Sequence, residues 1–340
     1  MTLEGEPEPT ADEVARAVAA RVGRPVSSVV DFDEGMNAVY RVSFDDGPDA
    51  VLKAGTVTGG SKLLSGPVLL ERIDRETNLP VPDVLAVAPD GDEHVADTYF
   101  LLTYVDGRHI TDVTSLSASA HERLVREAGR HLAAIHDLPF DGPFGRLHAS
   151  DGELFVDYGF ESWAECLGAS VDYHLERLEA RFADLEPAIE DAISRFPSVV
   201  AEDGIDKSVL YRDYHPKNLV LAPDDDARPL VRAVLDVNFR PVGDAPLDLA
   251  IAEANLVDLP MGNTDRAQPL RNALRESYVE ARGGTHETYV DERYPYYRLV
   301  AALDFMCHFE YFGSFGWENE VDHVADRLDT FVRKRIAEIT

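Results

Sequence analysis

Asp213 and Asn218 stand five residues apart in the stretch VLYRDYHPKNLVL, residues 209–221, and Asp236 follows eighteen residues later, at the end of another apolar run. Apolar residues on both sides of a polar centre read as buried strands around a loop that is either a solvated turn or a site. The spacing suits phosphoryl transfer from a nucleotide. One carboxylate would accept the proton of an attacking hydroxyl, while an amide oxygen and a second carboxylate would hold Mg2+ against the phosphates. Hard oxygen donors suit that ion, which keeps several waters and takes few protein ligands.

Such residues need elements to carry them. TADEVARAVAARV, from about Thr10 to Val22, reads as a short amphipathic helix capped by Thr10. Three strand-like runs follow, VSSVVDF, AVYRVSF and DAVLKAG, separated by the turn-rich DEGMN and DDGP. A helix is expected over GPVLLERIDRET, then an extended entry at Pro80 and Pro82 to the next strand in NLPVPDVLAVAPDGDEH, then the strand YFLLTYV ending at Asp106 and Gly107. Beyond that glycine the pattern turns helical. Leu124, Ala128, Leu132 and Ile135 recur at the spacing of a core-facing helix, and further helices are expected at about 160–183 and 184–196. Strand signals in this half are confined to SVLY, NLVLA and RAVLDV, and everything from about Pro246 to Thr340 reads as helix and loop. Segregated strands and helices imply an α+β chain of two lobes, residues 1–105 (with 1–9 loose) and 106–340, joined near Tyr104–Gly107.

Bulk properties exclude several classes. The 340 residues carry 63 acidic against 32 basic side chains, a formal net charge of −31, and only five of the basic residues are lysines. A field of that sign repels nucleic acid and anionic lipid. The acid is dispersed along the chain, which resembles proteins adapted to concentrated salt, although a cationic small-molecule substrate would also suit it. No window is long and apolar enough for a membrane span, and the acidic N-terminus lacks the features of a secretory signal. Cys166 and Cys307 lie far apart without metal-ligand spacing, as expected of free thiols in a reducing cytoplasm.

With these residues in hand, the sequence resembles the aminoglycoside phosphotransferase and choline-kinase-like branch of the protein-kinase fold. That branch reads H-G-D-x-H-P-x-N in its catalytic loop, where this chain has Tyr211-Arg212-Asp213-Tyr214-His215-Pro216-Lys217-Asn218. The resemblance covers roughly residues 26–256. It implies a strand-rich nucleotide-binding lobe, a helical lobe, and transfer of the γ-phosphate of ATP to a hydroxyl of a small molecule with Mg2+. Asp213 would be the catalytic base, with Asn218 and Asp236 as metal ligands. Lys53 in Val51-Leu52-Lys53 would pair with phosphates, Gly35, Met36 and Asn37 would lie in the loop covering them, and the backbone at Thr103 and Val105 would face the base. Gly243-Asp244-Ala245-Pro246-Leu247-Asp248 resembles the family's GDPxxD element, in which Asp248 would brace the loop.

The departures define an alternative. Tyr211 and Arg212 replace the usual histidine and glycine, and the acid that should pair with Lys53 falls on or near Gly66, with Glu71 and Glu76 the nearest carboxylates on that helix. A nucleotide-binding regulator with weak or no turnover would show the same features. A protein kinase fits less well, because no activation segment fits between Asp236 and Asp244. His215 is expected to hold the loop's shape, and His136, at a helix end where an imidazolium complements the helix dipole, to be structural. Asp304 and Glu310, in the aromatic-rich stretch 294–317, are expected as ordinary surface acids rather than a wall for a cation.

Overall fold

The computed structural model describes residues 8–32, 37–55, 60–200, 204–237, 240–262, 264–309 and 321–340. Its strands are β1 (Val26–Asp31), β2 (Ala38–Phe44), β3 (Ala50–Ala54), β4 (Val84–Ala88), β5 (Tyr99–Thr103), β6 (Gly145–Ser150), β7 (Glu153–Val156), β8 (Lys207–Val209), β9 (Leu219–Leu221), β10 (Val231–Val234) and β11 (Pro241–Asp244). Helices α1 (Ala11–Val22) and α2 (Ser61–Glu76) lie in the front of the chain. The remainder are α3 (Ala118–His136), α4 (Trp163–Leu175), α5 (Glu186–Ile193), α6 (Phe196–Val199), α7 (Ala245–Glu253), α8 (Leu259–Met261), α9 (Ala267–Arg282), α10 (His286–Tyr289), α11 (Tyr294–Cys307) and α12 (Val321–Ile339). The chain divides into two compact units. One is strand-rich, comprising residues 1–107, 146–157 and 232–240; the other is helical, comprising 108–145, 158–231 and 241–340.

In the strand-rich unit five antiparallel strands lie in the order β1-β2-β3-β5-β4. The period of two sorts their side chains: Ala38, Tyr40, Val42 and Phe44 of β2, with Ala50, Leu52 and Ala54 of β3, point into one core with Val14, Ala17 and Val18 of α1. Lys53 therefore lies on the other face of β3. α1 begins in a capping box, Thr10 Oγ1 accepting from Glu13 N–H while Glu13 accepts from Thr10 N–H at 2.7 Å, and it ends at Gly23 in the left-handed region.

In the helical unit α3 and α9 are the main packing pair, and Gly129 makes their approach possible. A Cβ there would collide with Ser277 Oγ and the Leu274 carbonyl of α9. β8 and β11 pair antiparallel, Val209 opposite Val242, below the start of α7. A π-helical turn, Ala254–Asp258, interrupts the passage from α7 to α8.

Three strands lie outside the expected segments. β6 hides its pattern behind Arg146, His148 and Ser150, yet its alternate residues Gly145, Leu147 and Ala149 are buried. Ser150 pairs with Glu153 across Asp151 and Gly152, both with positive φ, so the Asp-Gly pair makes the two-residue hairpin turn that favours this sequence. β11 reads as a loop because Pro-Val-Gly-Asp is turn-rich. It is nevertheless wholly buried, with proline at the first strand position and Gly243 close under Trp163 and Leu210. The stretch expected as helix at 160–183 also breaks, into α4 and a 3-10 segment at Ala180–Leu185.

Candidate active site

The loop after β8 is shaped by one buried carboxylate. Asp248, on the first turn of α7, is fully buried. It accepts the N–H of Tyr211 at Oδ2 and of Arg212 at Oδ1, both at 2.6 Å. His136 at the end of α3 donates Nε2–H to Asp248 Oδ2 at 3.1 Å, because an ionised carboxylate can only accept, and His136 Nδ1 then accepts from Tyr278 O–H at 2.8 Å. Three donors on one carboxylate fix the path of the chain through Arg212, whose φ of 59° is one that residues with a Cβ rarely adopt. Tyr214, fully buried, donates to His131 Nδ1 at 2.7 Å. Burial pushes His131 down to about 3, so it stays neutral and accepts that bond.

Between these anchors Asp213 faces outward, half-exposed. Asn218 donates Nδ2–H to Asp213 Oδ2 at 2.9 Å and to the Asp213 carbonyl at 3.2 Å, which turns the amide oxygen Oδ1 away from Asp213. His215 Nε2 lies 3.1 Å from Asp213 Oδ1, and the His215 N–H donates to the Asp213 carbonyl at 2.9 Å. The loop thus brings Asp213, His215 and Asn218 together. Asn218 thus holds one oxygen of Asp213 and His215 lies close to the other, so the carboxylate is oriented before any ligand arrives.

In the strand-rich unit, Lys53 Nζ donates to Asp236 Oδ1 at 2.8 Å. Asp236 has a φ of 53°, and the guanidinium of Arg240 donates to its carbonyl. The carboxylate therefore lies between two cations. α2 supplies no acid at Gly66, which is buried; Glu71 is exposed, and Glu76 is engaged by Arg72 at 3.3 Å and Arg75 at 2.8 Å. On β5, the Thr103 N–H is committed to the Asp83 carbonyl at 2.9 Å and so does not face a base edge. Val105 makes no backbone hydrogen bond among the described residues. Asn37 is half-buried just before β2. Gly35, Met36 and Glu310 lie outside the described residues.

A model of the phosphotransferase enzyme family, APH, matches residues 69–292. The chain belongs to this family. Among curated proteins there is no match. Solved structures of three antibiotic kinases have the same fold. A thermostable mutant of aminoglycoside phosphotransferase APH(4)-Ia, in ternary complex with ADP and hygromycin B, is 16% identical and superposes with a TM-score of 0.63 over 94% of this chain and 98% of that one. An amicoumacin kinase in complex with AMP-PNP, Ca2+ and Ami is 12% identical, with a TM-score of 0.61 over 96% and 93%. The GDP complex of wild-type aminoglycoside 2'-phosphotransferase-IIIa is 12% identical, with a TM-score of 0.59 over 97% and 99%. The fold is the α+β, protein-kinase-like one, strand-rich in front and helical behind.

Sequence reasoning missed part of this phosphotransferase's loop support. Asp244, the first acid of the GDAPLD element, is fully buried and takes the Arg293 guanidinium at 3.0 Å, the Tyr297 hydroxyl at 2.5 Å and the Asp206 N–H at 2.9 Å. Burial raises its carboxyl to about 6 despite those partners. The only available signal was its place one residue before a helix. His136 serves Asp248 rather than the helix dipole. Asp304 is not a bare surface acid either: His174 Nε2 lies 3.0 Å from its Oδ1. Burial alone would raise the Asp304 carboxyl, but the His174 bond and the charges of Arg212, His174 and His308 hold it below its ordinary value. Of the aromatic residues in that stretch, Tyr294, Tyr296, Tyr297 and Phe309 are core.

Proposed function

We propose that the protein transfers the γ-phosphoryl group of a nucleoside triphosphate, ATP, to a hydroxyl of a small molecule. The observation that carries this reading is the braced loop in which Asn218 and His215 orient Asp213. Asp213 receives the proton of the acceptor hydroxyl as the oxygen attacks phosphorus, and His215 and Asn218 keep its lone pairs aimed. Lys53 offsets the charge of the α- and β-phosphates, and the hinge backbone at Thr103 and Val105 takes the base. The donor set fits Mg2+: Asn218 keeps an amide oxygen directed away from Asp213, and Asp236 offers a carboxylate, both hard oxygens. When bound, the ion would neutralise charge on the transferring group.

The test is ADP release from Mg-ATP, in concentrated salt, over a panel of hydroxyl and amine acceptors. Asp213→Ala is expected to lose transfer by about 10³-fold or more while still binding nucleotide. Equal rates from both proteins would remove the base assignment. A second reading, a nucleotide-binding regulator without turnover, is favoured by the exposed position of Glu71 and the engagement of Glu76 by arginines. It predicts nucleotide binding by calorimetry with no transfer to any acceptor. Cytoplasmic residence and a soluble, salt-adapted surface belong to the same reading, alongside the finding that no helix among the described residues is long and apolar enough to cross a membrane.

A further inference from the structure

Arg212 stands next to the proposed base, at a position where the family resemblance calls for glycine and where the backbone adopts a glycine-favoured φ of 59°. A side chain held in such a conformation is retained against steric cost, so its guanidinium invites a role. The backbone N–H is accounted for by Asp248. The guanidinium is not. Every other buried or half-buried arginine of the helical unit gives its guanidinium to a carboxylate or carbonyl oxygen. Arg212 alone, among the buried and half-buried arginines of the described residues, has a guanidinium with no hydrogen bond or ion pair.

This is notable in a chain with about two acids for every base. A half-buried, fork-shaped donor left open in a strongly acidic protein is matched to an anion that arrives from outside. Asp304, near the C-terminal end of α11, is within the field of Arg212, and His174 of α4 fixes one Asp304 oxygen at 3.0 Å. His308, one turn along, donates Nδ1–H to the Asp304 main-chain carbonyl at 3.0 Å. One Asp304 carboxylate oxygen is thereby engaged by His174, and Asp304 makes no close ion pair with Arg212.

We infer that Arg212 is a specificity-determining residue that receives an anionic group, carboxylate or phosphate, of the acceptor whose hydroxyl Asp213 activates. The inference rests on the proposed transferase reading for the role of the hydroxyl, but not for the binding of the anion. The family departure at this position then reports substrate class: a hydroxy acid or a phosphorylated polyol rather than a purely cationic amine.

The probes are glycerol, glycerate and glycerol phosphate, each titrated by calorimetry with and without saturating Mg2+ and AMP-PNP, so that an anion in the nucleotide's own phosphate site is displaced. Wild-type protein is expected to bind the two anions at least ten-fold more tightly than glycerol. Arg212→Gln should erase that ratio, and Arg212→Lys should keep part of it, since it retains charge but not the fork. Arg212→Gly relieves the backbone conformation, so it should fold with an undiminished Tm and still lose the preference. The ratio of kcat/KM between anionic and neutral acceptors should fall in step, chiefly through KM. No anion preference in the wild type, or a preference that survives in the Gln and Gly variants, overturns the assignment. Loss of nucleotide binding or transfer with anion preference intact would instead count against the transferase reading alone.

Discussion

The two units of the chain are stabilised by different means. In the strand-rich unit, Ser65 and Arg240 are the only buried polar or charged side chains among the described residues, and the core is an alternation of Val, Leu, Ala and Tyr. In the helical unit the buried set includes Glu127, His136, Asp244, Asp248, Glu253 and Asp258. Glu253 alone meets Arg275 at 2.6 Å, Arg298 at 3.1 Å and the Tyr294 hydroxyl at 3.2 Å. Ion pairs of this kind give less net stability than apolar packing, but removing one partner strands the other in a low dielectric. The lesson is that the helical unit spends its buried polarity on geometry: Asp248 and Asp244 hold a loop path and a helix start that apolar contacts would leave less defined.

Several substitutions test that contrast. The largest loss is expected for Glu253→Ala, about 3–5 kcal/mol, because it leaves half-buried Arg275 without its carboxylate and Arg298 with only Asp258. Chemical unfolding that returned less than 1 kcal/mol would break the comparison. Leu52→Ala in the strand-rich core should cost about 2–5 kcal/mol by cavity formation alone, with no dependence on pH. Asp244 supplies a pH signature. Its folded carboxyl at about 6 lies above its ordinary value of 3.8, so the folded state holds the proton more tightly. Its contribution is fully present below about 4 and is lost as pH rises to about 6, on the order of 3 kcal/mol. Asp244→Asn should flatten that part of the stability–pH curve, and an unchanged slope would rule the group out. The smallest effect is Thr10→Ala, about 1 kcal/mol from the lost cap of α1, read as a shift in melting temperature.

The same contrast explains what was legible in the sequence. Alternation and caps are local codes, so α1, β2, β3 and β5 stand where the periodicity and the Thr10 cap put them, and the family motifs gave the α+β, kinase-like fold. β11 and the Asp244 pairing depend on residues far apart in sequence, Asp206, Arg293 and Tyr297, which no local pattern connects. Asp213, Asn218 and Asp236 were singled out because their spacing suits phosphoryl transfer. The support of His136 on Asp248 was missed because a histidine at a helix end already had a sufficient local explanation. Arg212 was legible only as a departure, and its open guanidinium required coordinates.

Gly129 has a mechanical consequence. There is no space for even one methyl group between α3 and the backbone of α9 at this position, so any side chain there would push the two helices apart. His136 and Tyr278, one on each helix and joined by a hydrogen bond, would be separated with them, and the seat of Asp248 under the loop at Tyr211 and Arg212 would loosen.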